Sequence, residues 1–215
     1  MNTNIKPFYI YTDKNSLYIK NINENTEKLA SNIHSYSANI DDDNNIHILG
    51  IDNFGKIIHF FNNDGRWDKK VIRRCFNNTK NIKDVRLYII NNSFNLFIVE
   101  KYPLDENIYK LSHLNFTPSD YKLFRHTIDK VFKDNSSIYK LNIDELSNII
   151  FQYKTIDILS RNICDNVIIF NNISRKWITS TPLLRSNQIS LNEKNISSNI
   201  KSDIFEYCYS IKYKL

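Results

Sequence analysis

Phe61-Asn62-Asn63-Asp64-Gly65-Arg66-Trp67 is echoed by Phe170-Asn171-Asn172-Ile173-Ser174-Arg175-Lys176-Trp177. Each follows an apolar run, Ile57-Ile58-His59-Phe60 in one case and Val167-Ile168-Ile169 in the other. The copies lie about 110 residues apart, which is two periods of about 45 to 55 residues with a weaker copy between them. A period of that size holds four short strands joined by tight turns. Alternating apolar residues mark the strands, and clusters of Asn, Asp and Ser mark the turns.

Reading outward gives the rest of the units. Phe8 to Tyr11, the turn Thr12 to Asn15, and Leu17 to Ile19 form a hairpin, with a weaker strand near Lys28-Leu29-Ala30. Tyr36 to Ile40 turns at Asp41-Asp42-Asp43-Asn44-Asn45 into Ile46 to Ile51, then through Asn53-Phe54-Gly55 into Lys56 to Phe60, and ends on Trp67 to Ile72. Val85 to Ile90 turns at Asn91-Asn92-Ser93 into Leu96 to Val99, followed by Asn107 to Leu111 and Tyr121 to Ile128. Ile138 to Leu141, Ile149 to Tyr153, Val167 to Phe170 and Trp177 to Thr179 make the last unit. Connections this short join antiparallel neighbours only. One segment fits two readings. Thr117-Pro118-Ser119-Asp120 is a helix start, with apolar Tyr121, Phe124, Ile128 and Val131 behind it, yet the repeat places a strand there.

The expected fold is all-β: a β-propeller of four to five antiparallel four-stranded blades in one domain, residues 1–215. The units are residues 8–33, 34–79, 80–134 and 135–182, with a closing strand and tail over 183–215. The first unit lacks its opening strand. An unpaired blade edge would template association, so a strand from the far end of the chain is expected to fill it. Gln188-Ile189-Ser190-Leu191 stands where that strand is needed, and Ile204 to Ile211 offers another strand or a short helix.

The segments Asn44 to Ile51, Asn62 to Trp67 and Leu87 to Asn92 resemble bacterial β-propeller repeat proteins of the clostridial type. The resemblance spans most of residues 8–182. It implies recognition or scaffolding more often than catalysis, and it carries over no catalytic residues. Asp64-Gly65-Arg66-Trp67 departs from the sialidase Asp box in lacking its leading Ser and in its Gly-to-Trp spacing.

The chain has 215 residues, is 41% hydrophobic and 13% aromatic, and so has enough apolar surface for a packed core. It has only 3 Gly. Asn is expected to replace Gly in the turns, because its short amide tolerates positive φ. Net charge is +6, but the basic residues are dispersed, which argues against a nucleic-acid partner. The densest cluster is Lys69-Lys70-Val71-Ile72-Arg73-Arg74, read as the solvated face of a strand. Three widely spaced cysteines, Cys75, Cys164 and Cys208, give neither a zinc pattern nor a disulfide framework, so buried free thiols are expected. The absence of a leader pattern and of a long apolar run makes a cytoplasmic location, with no membrane partner, the expectation.

No motif demands a cofactor or a metal. Asp41, Asp43 and Asn45 alternate like the first half of a calcium loop, but the Gly and Glu that complete one are missing. His47 and His59 lie on strands of one unit and can approach each other. Trp67 and Trp177 hold matching repeat positions, which suits either wedging between sheets or stacking on a sugar. The leading expectation is a non-enzymatic recognition or scaffold module that binds a protein partner through loops such as 41–45, 91–93 and 144–148. Its ligand residues would be Asp41, Asp43, Asn45, Trp67 and Trp177. A lectin-like glycan-binding module is the alternative, and an enzyme on the same scaffold the third reading.

Overall fold

A computed structural model describes residues 9–20, 25–63, 65–103, 105–133, 137–157, 159–160, 162–179 and 206–207. Among the described residues there is no α-helix, only a short 3-10 turn at Thr79–Asn81. The fold is all-β and antiparallel, built from the up-and-down sheets that form propeller blades. The chain divides into two compact units, residues 1–92 with 201–215, and residues 93–200.

The first unit contains two four-stranded sheets. One holds β1 (Tyr9–Asp13), β2 (Ser16–Lys20) and β3 (Thr26–Ser31). Its fourth strand comes from the far end of the chain: Glu206–Tyr207 pairs with β1, Tyr9 opposite Tyr207 and Ile10 opposite Glu206. A closing strand is therefore present. The expected segment, 188–191, lies outside the described residues. The other sheet is β4 (Ile33–Ile40), β5 (Ile46–Asp52), β6 (Lys56–Asn63) and β7 (Arg66–Arg74), in chain order. Ile10, Leu17, Ile19, Ile33, Ile48, Ile58 and Phe60 interdigitate as the core, with Tyr36 and Trp67 packed against it. The strand β8 (Ile82–Ile90) lies beside β4. There the Leu87 amide donates to Ser37 Oγ at 3.0 Å, and Asn39 Nδ2 donates to the Leu87 carbonyl at 2.9 Å.

The second unit contains β9 (Ser93–Lys101), β10 (Ile108–Phe116), β11 (Phe124–Phe132), β12 (Tyr139–Ile143), β13 (Ile149–Ile156), β14 (Ile163–Asn171) and β15 (Lys176–Thr179). β13 changes partner along one edge. Its residues 149–153 pair with β12, and Lys154 and Thr155 pair with Phe132 and Val131 at the end of β11. β14 runs along its other edge. Phe94, Phe97, Phe116 and Phe151 are fully buried in this unit.

The turn chemistry is that of Asn. Among the described residues ten non-Gly positions have positive φ, and five of them are Asn: Asn15, Asn32, Asn44, Asn91 and Asn92. At Gly55 no side chain fits. Its φ is +77°, and a Cβ there would meet the Phe76 carbonyl oxygen at 1.9 Å. The ambiguous segment resolves to strand. The Tyr121 amide donates to the Thr117 carbonyl at 2.9 Å, closing one helical turn. Tyr121 then takes φ 53°, which ends it, and β11 pairs with β10 from Phe124 to Phe132. Burial of the thiols is corrected: Cys75 is half-buried and Cys164 exposed. No helix among the described residues is long and apolar enough to cross a membrane.

Candidate functional site

The loop Asp41–Asn45 is held by its own first residue. Asp41 Oδ1 accepts from the amides of Asp43 and Asn45 at 2.9 and 2.8 Å, and Oδ2 accepts from Asn45 Nδ2 at 3.0 Å. Asp144–Asn148 repeats this bond for bond. Asp144 Oδ1 accepts from the Leu146 and Asn148 amides, and Oδ2 from Asn148 Nδ2. Both are Asp-x-x-x-Asn turns with a left-handed fourth residue, Asn44 or Ser147. Asp41 and Asn45 are thus engaged with one another, which is the physical account of an apparent half calcium loop. Among the described residues no cluster of three His, Cys, Asp or Glu could hold a metal.

The Asp41 turn carries one addition. Its Oδ2 also lies 3.0 Å from His47 Nε2, and His47 Nδ1 lies 3.0 Å from His59 Nε2. One proton pattern satisfies both contacts: His47 donates from Nε2 to the carboxylate, and His59 donates from Nε2 to His47 Nδ1. Burial, then the charge of His47, lowers the His59 pKa to about 3. Burial raises the Asp41 pKa, but bonds from His47 and Asn45 outweigh it and the net shift is downward. His59 is only 1% exposed, so this chain runs into the interior, away from any substrate.

The tryptophans occupy the same ladder position. Counting from the two Asp turns, Ile48 opposes Phe60 and Phe151 opposes Ile168, and two residues further along these strands Asn62 opposes Trp67 and Phe170 opposes Trp177. The Phe-Asn-Asn echo is therefore one residue out of structural register. Trp67 packs against the first unit's core. Trp177 donates its indole N–H to His113 Nδ1 at 3.1 Å, while His113 Nε2 donates to Asn95 Oδ1 at 3.0 Å. His113 stacks on Phe97, and burial, then the nearby His126, lowers its pKa to about 3.

The group that stands out chemically is one the sequence did not reveal. Glu100, near the end of β9, has a side chain only 16% exposed. Its Oε2 is buried and makes no hydrogen bond among the described residues. Arg125 Nη2 is 3.9 Å away, too far for one, and donates instead to Ser112 Oγ at 3.0 Å. Burial raises the Glu100 pKa and the charge of Asp129 adds to the rise, against the opposing pull of Lys110 and Arg125. Ladder pairing explains the grouping: Glu100 opposes Lys110 on β10, and a bulge brings Asp129 of β11 to the far side of Lys110. Lys130 inside that bulge takes φ 56°, and Tyr102 donates its hydroxyl to Asp129 Oδ1 at 3.1 Å. The only sequence cue was a carboxylate closing the apolar run Phe94 to Val99, which is too common to read.

The same sheet face continues past Phe132, paired with Lys154, to a cavity of about 370 Å³. It opens where β13 exchanges β11 for β12, because the two partners abut end to end and leave a gap. Phe132, Lys140, Gln152, Lys154, Asp165 and Val167 line it.

No family model matches the chain, and no curated protein matches its sequence. Several solved structures are similar to it, among them the following two. One is a bifunctional GH43-CE protein of Bacteroides eggerthii, with 10% identity, a TM-score of 0.41, and coverage of 78% of this chain and 23% of that one. The other is an exo-1,5-α-L-arabinanase from a bovine ruminal metagenomic library, with 10% identity, a TM-score of 0.43, and coverage of 84% and 76%. The chain thus spans less than a quarter of the first protein's length. Likeness at this level carries no argument about its reaction. The second of the two is, by its description, an enzyme. The expectations of a non-enzymatic recognition or scaffold module, and of no enzyme, are corrected accordingly.

Proposed function

We propose that the chain is an acid–base enzyme that cleaves glycosidic bonds, with Glu100 as proton donor and Asp129 as the second carboxylate. The observation that carries this is the half-buried Glu100 carboxyl, whose Oε2 is fully buried without a hydrogen bond among the described residues, whose pKa is raised, and beyond which Asp129 stands across one strand. A carboxyl whose pKa is raised by burial, with a second acid near it, is the arrangement glycoside hydrolysis uses. Glu100 would give its proton to the glycosidic oxygen as the C–O bond breaks. Asp129 would take a proton from the water that attacks the anomeric carbon. The two residues sit two strands apart, about 9 to 10 Å between backbones, on either side of Lys110. Arg125, fixed by Ser112, and Lys110 lie beside the acid and limit how far its pKa rises.

The test is a screen with aryl glycosides of graded leaving-group ability. Glu100→Gln should slow poor leaving groups by about 100-fold or more and good ones far less, because only the former need a proton. Equal slowing of both classes, or no turnover by the parent on any glycoside, ends this reading. The pH dependence has a definite sign. Activity needs protonated Glu100, so it falls as pH rises through a pKa above the ordinary glutamate value. Arg125→Ala removes a lowering charge and should move that alkaline limb up. Asp129→Asn removes a raising charge and should move the residual activity's limb down.

A further inference from the structure

The cavity at the β11–β12–β13 junction lies on the same sheet face as the proposed acid, and its chemistry differs from that of the acid. Register places its side chains in two rows on one sheet face. Lys140, Gln152 and Val167 form one cross-strand row. Phe132, Lys154 and Asp165 form the next. Two ammonium groups stand against one carboxylate, and Lys154 Nζ lies 3.9 Å from Asp165 Oδ1. Phe132 supplies an aromatic surface and Val167 an aliphatic one. Gln152 supplies both a donor and an acceptor. The volume of about 370 Å³ falls within the range of small-molecule sites.

We infer that this cavity binds a uronic acid, a sugar ring bearing a carboxylate. A sugar has an apolar C–H face and a rim of hydroxyls. Phe132 and Val167 suit the first, and Gln152 and Asp165 suit the second. Lys140 is exposed and stands in the row next to the Lys154–Asp165 pair, so it offers a cation to the carboxylate while Asp165 turns to hydroxyls. A neutral sugar leaves the excess positive charge unanswered, and a bare anion leaves the apolar walls and the amide unused. The inference does not depend on Glu100 acting as an acid. It does supply a substrate class for that reaction, because an acidic glycan held here would extend along the same face toward Glu100.

Calorimetric titration with glucuronate, glucose and inorganic phosphate tests it. Glucuronate should bind at least about tenfold more tightly than either of the others, a difference of about 1.4 kcal/mol. Lys140→Met and Gln152→Leu change half-buried or exposed positions and should each weaken glucuronate without changing the melting temperature. Glucose binding as tightly as glucuronate overturns the charge argument, and phosphate doing so overturns the sugar argument. Unchanged glucuronate affinity in both variants overturns the location. Glu100→Gln should bind glucuronate like the parent, so loss of turnover in that variant reports on hydrolysis alone, and failure to bind reports on the cavity alone.

Discussion

His59 and His113 are the two groups whose environments most oppose charge, and each has a folded pKa of about 3. In the unfolded chain a histidine titrates near 6.5. Between these values the unfolded state binds protons that the folded state refuses. Stability from each is therefore complete above about pH 6.5 and is lost as pH falls toward 3, at up to about 1.4 kcal/mol per pH unit per histidine. Denaturant titrations from pH 7 to 4 should show a falling midpoint, and a His59→Gln, His113→Gln double variant a shallower slope. A slope as steep as the parent's contradicts the burial argument. Trp177 bears on the same point. Trp177→Phe keeps most of the ring but leaves the buried His113 Nδ1 without its donor, at a cost of about 1 to 3 kcal/mol. Trp67→Phe loses ring area against an apolar cluster and should cost less. Sequence placed the two tryptophans as a pair, but it could not show that one of them anchors a histidine.

Among the elements, turns and strands were readable for a local reason: each is fixed by residues close in sequence. The Asn-rich clusters mark turns because Asn accepts positive φ, and five do so here. The 124–132 segment was not decidable, since Phe124, Ile128 and Val131 fit a helical stripe. The left-handed Tyr121 and the β10 ladder decide it. Asp41 shows a different limit. Its alternating oxygens looked like ligands, but side-chain-to-backbone bonds engage them within five residues. The two Asp turns make an internal comparison. Asp144→Ala removes acceptors from two amides and one side-chain amide, and should cost about 1 to 2 kcal/mol. Asp41→Ala removes the same set and also the partner of His47, so it should cost roughly 1 kcal/mol more. Urea melts of both variants at pH 7 check the ordering, and equal losses would mean the His47 contact adds nothing. Glu100, Lys110 and Asp129 were invisible at this scale, because strand pairing and a bulge assemble them from three strands.

At the scale of the whole chain, the missing opening strand of the first unit was legible as a count, and so was the need for a partner from the other end. Which distal segment fills it was not, because any short alternating run satisfies the count. The pairing of Glu206–Tyr207 with Tyr9 and Ile10 names that partner. Removing residues 201–215 then leaves the outer edge of β1 with unpaired backbone donors and acceptors, next to a strand that buries Leu17 and Ile19. An open edge with apolar neighbours recruits another strand, and a second copy of this chain offers the same edge in antiparallel register. The truncated chain should therefore elute as a dimer or larger on size exclusion with light scattering, in a concentration-dependent way. Adding Tyr9→Lys to the truncation puts a charge on that edge and should restore a monomer, while the full-length Tyr9→Lys protein should elute like its parent. If the truncated protein stays monomeric with the parent's melting temperature, the Glu206–Tyr207 strand is not what protects β1.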